Sequence, residues 1–165
     1  LRYIQTKTGK ETISRLELSL PYVGDLYKKL YMARFADNLQ TLLTGGVSII
    51  RSLEITADVV GNEIYRNIIL DAREAVRAGA SISDSLFVYP EVPRLVSQMI
   101  KVGEETGKLD FILETVSKFY RQEVNVAVDN LINLIEPMLI LVLGGGVGLL
   151  VASIIVPIYN ISSSI

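Results

Sequence analysis

The chain is predicted to be all-α: an antiparallel helical bundle of about six helices, the last continuing into a transmembrane helix. Three observations predict this. Apolar residues recur at three- and four-residue steps through successive stretches, the spacing that puts them on one face of a helix. Glycines and prolines punctuate those stretches at Gly45-Gly46, Gly61, Gly79, Pro90 and Gly107. Between Pro137 and Pro157 the sequence MLILVLGGGVGLLVASIIV runs for about nineteen residues without a charge, enough at about 1.5 Å per residue to cross most of a bilayer's hydrocarbon. A buried helix of a soluble core would normally carry a polar face. Here Ser153 is the only polar side chain, and a helix can satisfy it through its own backbone.

The elements follow in order. Leu16, Leu18 and Leu20 alternate with a strand-like period, and with Arg2, Lys7, Lys10 and Arg15 they mark residues 1–21 as an extended basic strap. After Pro21 a first helix begins near Tyr22 or Asp25, carries Leu26, Leu30, Phe35, Leu39, Leu42 and Leu43, and ends at Gly45-Gly46. Ser48 is placed to cap a second helix with Ile49, Leu53, Ala57 and Val60, closed by a left-handed Gly61. Asn62 caps a third, with Ile64, Ile68, Ile69, Ala72, Ala75 and Val76 inward, Arg66, Arg73, Glu74 and Arg77 outward, and a stop at Gly79. Ser83 is the expected cap of a short helical turn holding Leu86 and Phe87. Pro93 suits the first turn of a fifth helix, whose expected stripe is Leu95, Val96, Met99 and Gly103. Gly103 on a buried stripe implies close approach by a neighbouring helix. The run Gly103-Glu104-Glu105-Thr106-Gly107 reads as a helix end and tight turn with solvated carboxylates. The last helix starts near Leu109 and keeps Leu113, Val116, Tyr120, Val124, Ala127, Leu131, Leu134 and Met138 in phase. No breaker precedes Pro137, where a missing N–H and a clash with the Asn133 carbonyl predict a kink. The expected organisation is a strap at 1–21, a bundle at 22–135, a transmembrane helix at 136–160 and a short tail at 161–165.

Composition excludes much chemistry. The sequence has no cysteine and no histidine, which removes thiolate and imidazole ligands, Cys nucleophiles, His bases and disulfides. All 16 Lys and Arg lie at or before Arg121, and the positive-inside rule then places the bundle in the cytoplasm and the Ser162-Ser163-Ser164 tail outside. Residues 1–121 carry only about one net positive charge, which argues against nucleic acid as a partner. No secretory signal peptide opens the sequence, and the lack of an initial Met suggests a fragment.

Several separated segments, in order, resemble one family: Ala33-Arg34-Phe35 followed by LQTLLTGGVSI, Ala57 to Asn62, MIKVGEETGKLD from Met99 to Asp110, Phe119-Tyr120 with Glu123, and Ile135-Glu136-Pro137 leading through the glycines to Val156-Pro157-Ile158-Tyr159. The chain resembles the C-terminal half of the type II secretion system F / type IV pilus PilC inner-membrane platform proteins. The resemblance implies a polytopic inner-membrane protein, of which this chain would supply the second cytoplasmic domain and last membrane helix. It also implies a platform that couples a cytoplasmic assembly ATPase to polymerisation of pilins or pseudopilins without being an enzyme or holding a cofactor. The partners it implies are that ATPase, pilin or pseudopilin transmembrane helices, other inner-membrane machine subunits, the lipid bilayer and further copies in a homo-oligomer. One departure is Gly45-Gly46, where the family usually has a single glycine. The rival reading is a tail-anchored adaptor or signalling module whose span is only an anchor.

Three groups of residues are candidate sites. Gly144, Gly148 and Ala152 fall four apart, with Gly145 beside them, a small-residue pattern that lets membrane helices touch. The occupant is either the protein's own other membrane helices, or another subunit or a membrane-embedded pilin-like helix. No Lys-Ser or Lys-Thr follows these glycines, so they are not a nucleotide loop. Glu136 and Pro137 form the expected joint between domain and membrane. Gly103, Glu104, Glu105, Thr106 and Gly107 are expected to fix a turn or meet a partner; a catalytic or metal role for Glu104, Glu105 and Asp110 lacks a second ligand set or nucleophile. Lys28-Lys29 and the arginines of the third helix read as a solvated face, with lipid headgroups or the ATPase as functional options.

Overall fold

The computed structural model describes residues 23–162; the strap predicted at 1–21 and the end of the predicted tail lie outside them. Among the described residues there are six helices and no strand: α1 (Val23–Thr44), α2 (Ile49–Val59), α3 (Glu63–Arg77), α4 (Ile82–Phe87), α5 (Arg94–Thr106) and α6 (Leu109–Ser162). The chain divides into two compact units, one through Asn125 and one from Val126 onward, and α6 contributes to both.

In the first unit consecutive helices pack on one another from α1 to α5, and the start of α6 enters the same core through Leu113 and Val116, both fully buried. The inward faces differ in detail from those the periodicity predicts. On α1 the core residues are Tyr31, Met32, Phe35, Ala36 and Leu39, while Leu26, Leu30, Leu42 and Leu43 are only half-buried. On α5 they are Val96, Ile100 and Gly103; Leu95 is exposed. The apolar arc of α5 runs from Val102 and Leu95 to Ile100, wider than the face that packs, so spacing alone did not select the buried stripe. Tyr65 on α3 is fully buried, its hydroxyl donating to the Glu91 carbonyl at 2.9 Å, and burial pushes its phenol well above the ordinary range.

Helix ends are set by the residues expected, with three corrections. Asn62 accepts from the backbone N–H groups of Ile64 (2.9 Å) and Tyr65 (3.3 Å), satisfying donors that the first turn leaves free. Ser48 precedes α2 without a side-chain cap bond. The cap of α4 is Ser81 and not Ser83: Ser81 Oγ accepts from Asp84 N at 3.1 Å. Pro93 is the residue before α5 rather than part of its first turn. Of the paired glycines, Gly46 takes the positive φ of 78°, and the bonds from Gly46 N to Leu43 O and from Val47 N to Leu42 O close a Schellman turn. The second glycine of the pair therefore does the turning.

The outward charges of α3 are paired. Arg66 meets Asp58 and Glu63, and Arg73 meets Glu54 and Glu74. Lys29 bridges Asp25 and Glu123, each at 3.0 Å. These cations are thus engaged within the fold rather than simply solvated, and Asp25 followed by Glu123 holds the Lys29 ammonium above its ordinary range.

Candidate functional site

The turn motif is the first candidate. Gly103 through Thr106 remain in α5, and only Gly107 leaves it, at φ 67°. Lys108 N donates to Gly103 O at 2.9 Å and Gly107 N to Glu104 O at 3.4 Å, again a Schellman closure, and the left-handed backbone at Gly107 suits a residue without Cβ. The closure folds α6 back against α5. At Gly103 an added Cβ would stand 3.1 Å from Leu109 Cα and 3.2 Å from Ile112 Cβ, so α6 approaches α5 closely at this glycine.

Glu104 overturns the expectation of a solvated carboxylate. One oxygen accepts from Ile82 N at 2.6 Å; the other accepts from Ser83 N at 3.1 Å and Ser83 Oγ at 2.6 Å. Together with Ser81 it satisfies the first N–H groups of α4, and a carboxylate there is favoured by both hydrogen bonding and the helix dipole. Glu105 is exposed, and Thr106 Oγ1 donates to Val102 O at 2.6 Å. The acidic pair is therefore divided: Glu104 joins α5 to α4, and Glu105 faces water.

Arg34, within the Ala33-Arg34-Phe35 segment, also has a structural role. Arg34 Nη1 donates to the Val60 carbonyl at 3.4 Å, and an added Cβ at Gly61 would lie 2.6 Å from that nitrogen. Arg34 thus reaches the end of α2, with Gly61 leaving it room. The signal was present in the sequence as Ala33-Arg34-Phe35 and Val60-Gly61, yet nothing in the spacing joined residues so far apart.

In the second unit, helix runs unbroken through Glu136 and Pro137 to Ser162. It includes an 18-residue window of mean hydropathy 2.2 with none of that window buried, long and apolar enough to cross a membrane. Met138, Leu141 and Leu149 are about 70% exposed or more, and Glu136 is exposed as well. Ser153 Oγ donates to Leu149 O at 2.8 Å, the internal satisfaction a span requires. Among the described residues, a Cβ built at Gly144, Gly145, Gly146 or Gly148 meets nothing within 4 Å; Ala152 lies on the same helix.

Among the described residues the architecture is all-helical, with one helix fit to cross a membrane. The chain belongs to the type II secretion system (T2SS) protein F family, whose profile matches residues 35–157. It is 40% identical over 160 residues to the type IV pilus assembly protein PilC of Thermus thermophilus, covering 96% of this chain and 39% of that protein. Against the PilC of Pseudomonas aeruginosa it is 33% identical over 159 residues, 96% of this chain and 42% of that protein. Against the type II secretion system protein F of the same organism it is 32% identical over 145 residues, 88% of this chain and 36% of that protein. The chain thus spans about two fifths of the length of these relatives.

Proposed function

We propose that this chain is the second cytoplasmic domain and last transmembrane helix of a non-catalytic platform protein in the bacterial inner membrane. In this reading a cytoplasmic assembly ATPase displaces the helical bundle, and α6 carries the displacement into the bilayer where pilin or pseudopilin subunits are added. The observation that carries it is the family match from residue 35 to residue 157, which takes in both the bundle and the apolar helix. Glu136 and Pro137 act as the joint, because the proline withholds one backbone donor from the helix at the start of its uncharged run. Gly144, Gly145, Gly148 and Ala152 supply the surface on which another membrane helix packs. Glu105, the free member of the acidic pair, is available to a partner. Further copies of the protein and other machine subunits complete the assembly.

The test is association of the full-length protein with its assembly ATPase in detergent-solubilised membranes. Co-purification that is lost when the helical bundle is deleted supports the reading. A protein that sustains assembly while never associating with ATPase, pilin or pseudopilin contradicts it and returns the chain to the adaptor class.

A further inference from the structure

The hold of the first unit on α6 changes character along the helix. Leu113 and Val116 are fully buried and Tyr120 nearly so; beyond it Val124 is only half-buried, Arg121 and Gln122 are exposed, and the unit ends at Asn125. Polar contacts take over on both sides of Tyr120. Ser117 Oγ donates to Asp37 Oδ1 at 3.2 Å, and Arg121 Nη2 pairs with the same oxygen at 2.5 Å. Lys29 Nζ pairs with Glu123 Oε2 at 3.0 Å and is steadied by Asp25. Lys29 and Asp37 both lie on α1, so two points of one helix grip the last turns that α6 contributes to the unit.

We propose that this set is a releasable ionic clasp: Asp37 with Ser117 and Arg121, and Lys29 with Glu123, close residues 117–125 of α6 onto α1 and open without loss of the core. The pairs are water-accessible. Arg121 is 60% exposed and Glu123 36%, and Asp37, Ser117 and Arg121 line an open hollow of about 210 Å³ that Gln40, Glu114 and Lys118 complete. Exposed ion pairs contribute weakly and are screened by salt, whereas Leu113 and Val116 are held by burial. Local opening at such a place requires far less than global unfolding. Resting on the reading that α6 carries motion between bundle and membrane, the clasp sets how much of the helix moves with the bundle.

Hydrogen exchange of the full-length protein in lipid nanodiscs tests the clasp, comparing wild type with a Lys29→Met/Asp37→Asn double variant and a Lys29→Glu/Glu123→Lys charge exchange. The expected result is exchange on the order of tenfold faster across residues 117–125 in the double variant, equivalent to about 1.4 kcal/mol, with residues 64–72 and 96–103 unchanged. The charge exchange restores slow exchange at Glu123→Lys and its neighbours, and high salt speeds the wild type. Unchanged exchange at 117–125 overturns the clasp, as does acceleration that extends equally to 64–72. An assembly assay on the same variants separates the two ideas: faster exchange with unaltered assembly upholds the clasp and overturns the lever.

Discussion

At Glu104 one side chain performs work that its sequence neighbours cannot share. It is bonded to two backbone N–H groups and one hydroxyl of α4, and hydrogen bonds to a charged group contribute about 1.5–3 kcal/mol net of exchange with water. Glu104→Ala is expected to lower unfolding stability by about 2–3 kcal/mol in a denaturant titration, and Glu105→Ala by less than about 0.5 kcal/mol. Equal effects would remove the distinction between them. Tyr65 sets a pH limit. Its phenol and the Lys29 ammonium both titrate above their ordinary values in the folded chain, so the stability they contribute is complete below about pH 10 and is lost as pH rises through the folded values. Unfolding midpoints should hold level to about pH 9 and then fall, less steeply in Tyr65→Phe, although that variant loses the bond to Glu91 and starts lower. The partition of Glu104 from Glu105 was not legible in the sequence, because it depends on a contact with residues more than twenty positions upstream. Ser81, Ser83 and Ser85 offer three similar caps, and the tertiary carboxylate decides which backbone groups still need one.

Among the elements, the six helices were legible because glycine and proline breaks coincide with changes in apolar phase. Asn62, Gly61 and Gly79 end or begin helices where expected, the two glycines with φ of 91° and 95°. What spacing could not supply was the rotation of α1 and α5: both carry apolar residues beyond the buried set, and neighbouring helices choose among them. For the last helix the uncharged run was unmistakable, and the open surface at its glycines agrees with a face that has no partner among the described residues. Glycines lower helix preference by about 1 kcal/mol each in soluble helices, a cost without benefit to a simple anchor. Replacing Gly144 and Gly148 by Leu should leave membrane insertion intact and sharply reduce pilus assembly or secretion. Undiminished assembly would return the span to the status of an anchor.

Among the described residues a small buried core in the first unit is followed by a helix whose apolar side chains are exposed. The family is shown by the match over residues 35–157, and the motor, the pilins and the membrane's identity follow as proposals from that membership. The central claim is that the apolar end of α6 is a packing surface inside an assembled machine. Since this chain has no cysteine, Gly148→Cys in an otherwise cysteine-free full-length protein gives a single thiol on that face. Cross-linking from it with a short reagent that carries a maleimide at one end and a photoactivated group at the other, in membranes containing the assembled machine, is the most direct measurement. The account predicts a specific adduct with another membrane helix, of this protein or of a second subunit, that is absent when the thiol is moved to Leu149. Equal labelling by lipid-soluble maleimide at both positions, with no protein adduct at either, would contradict it.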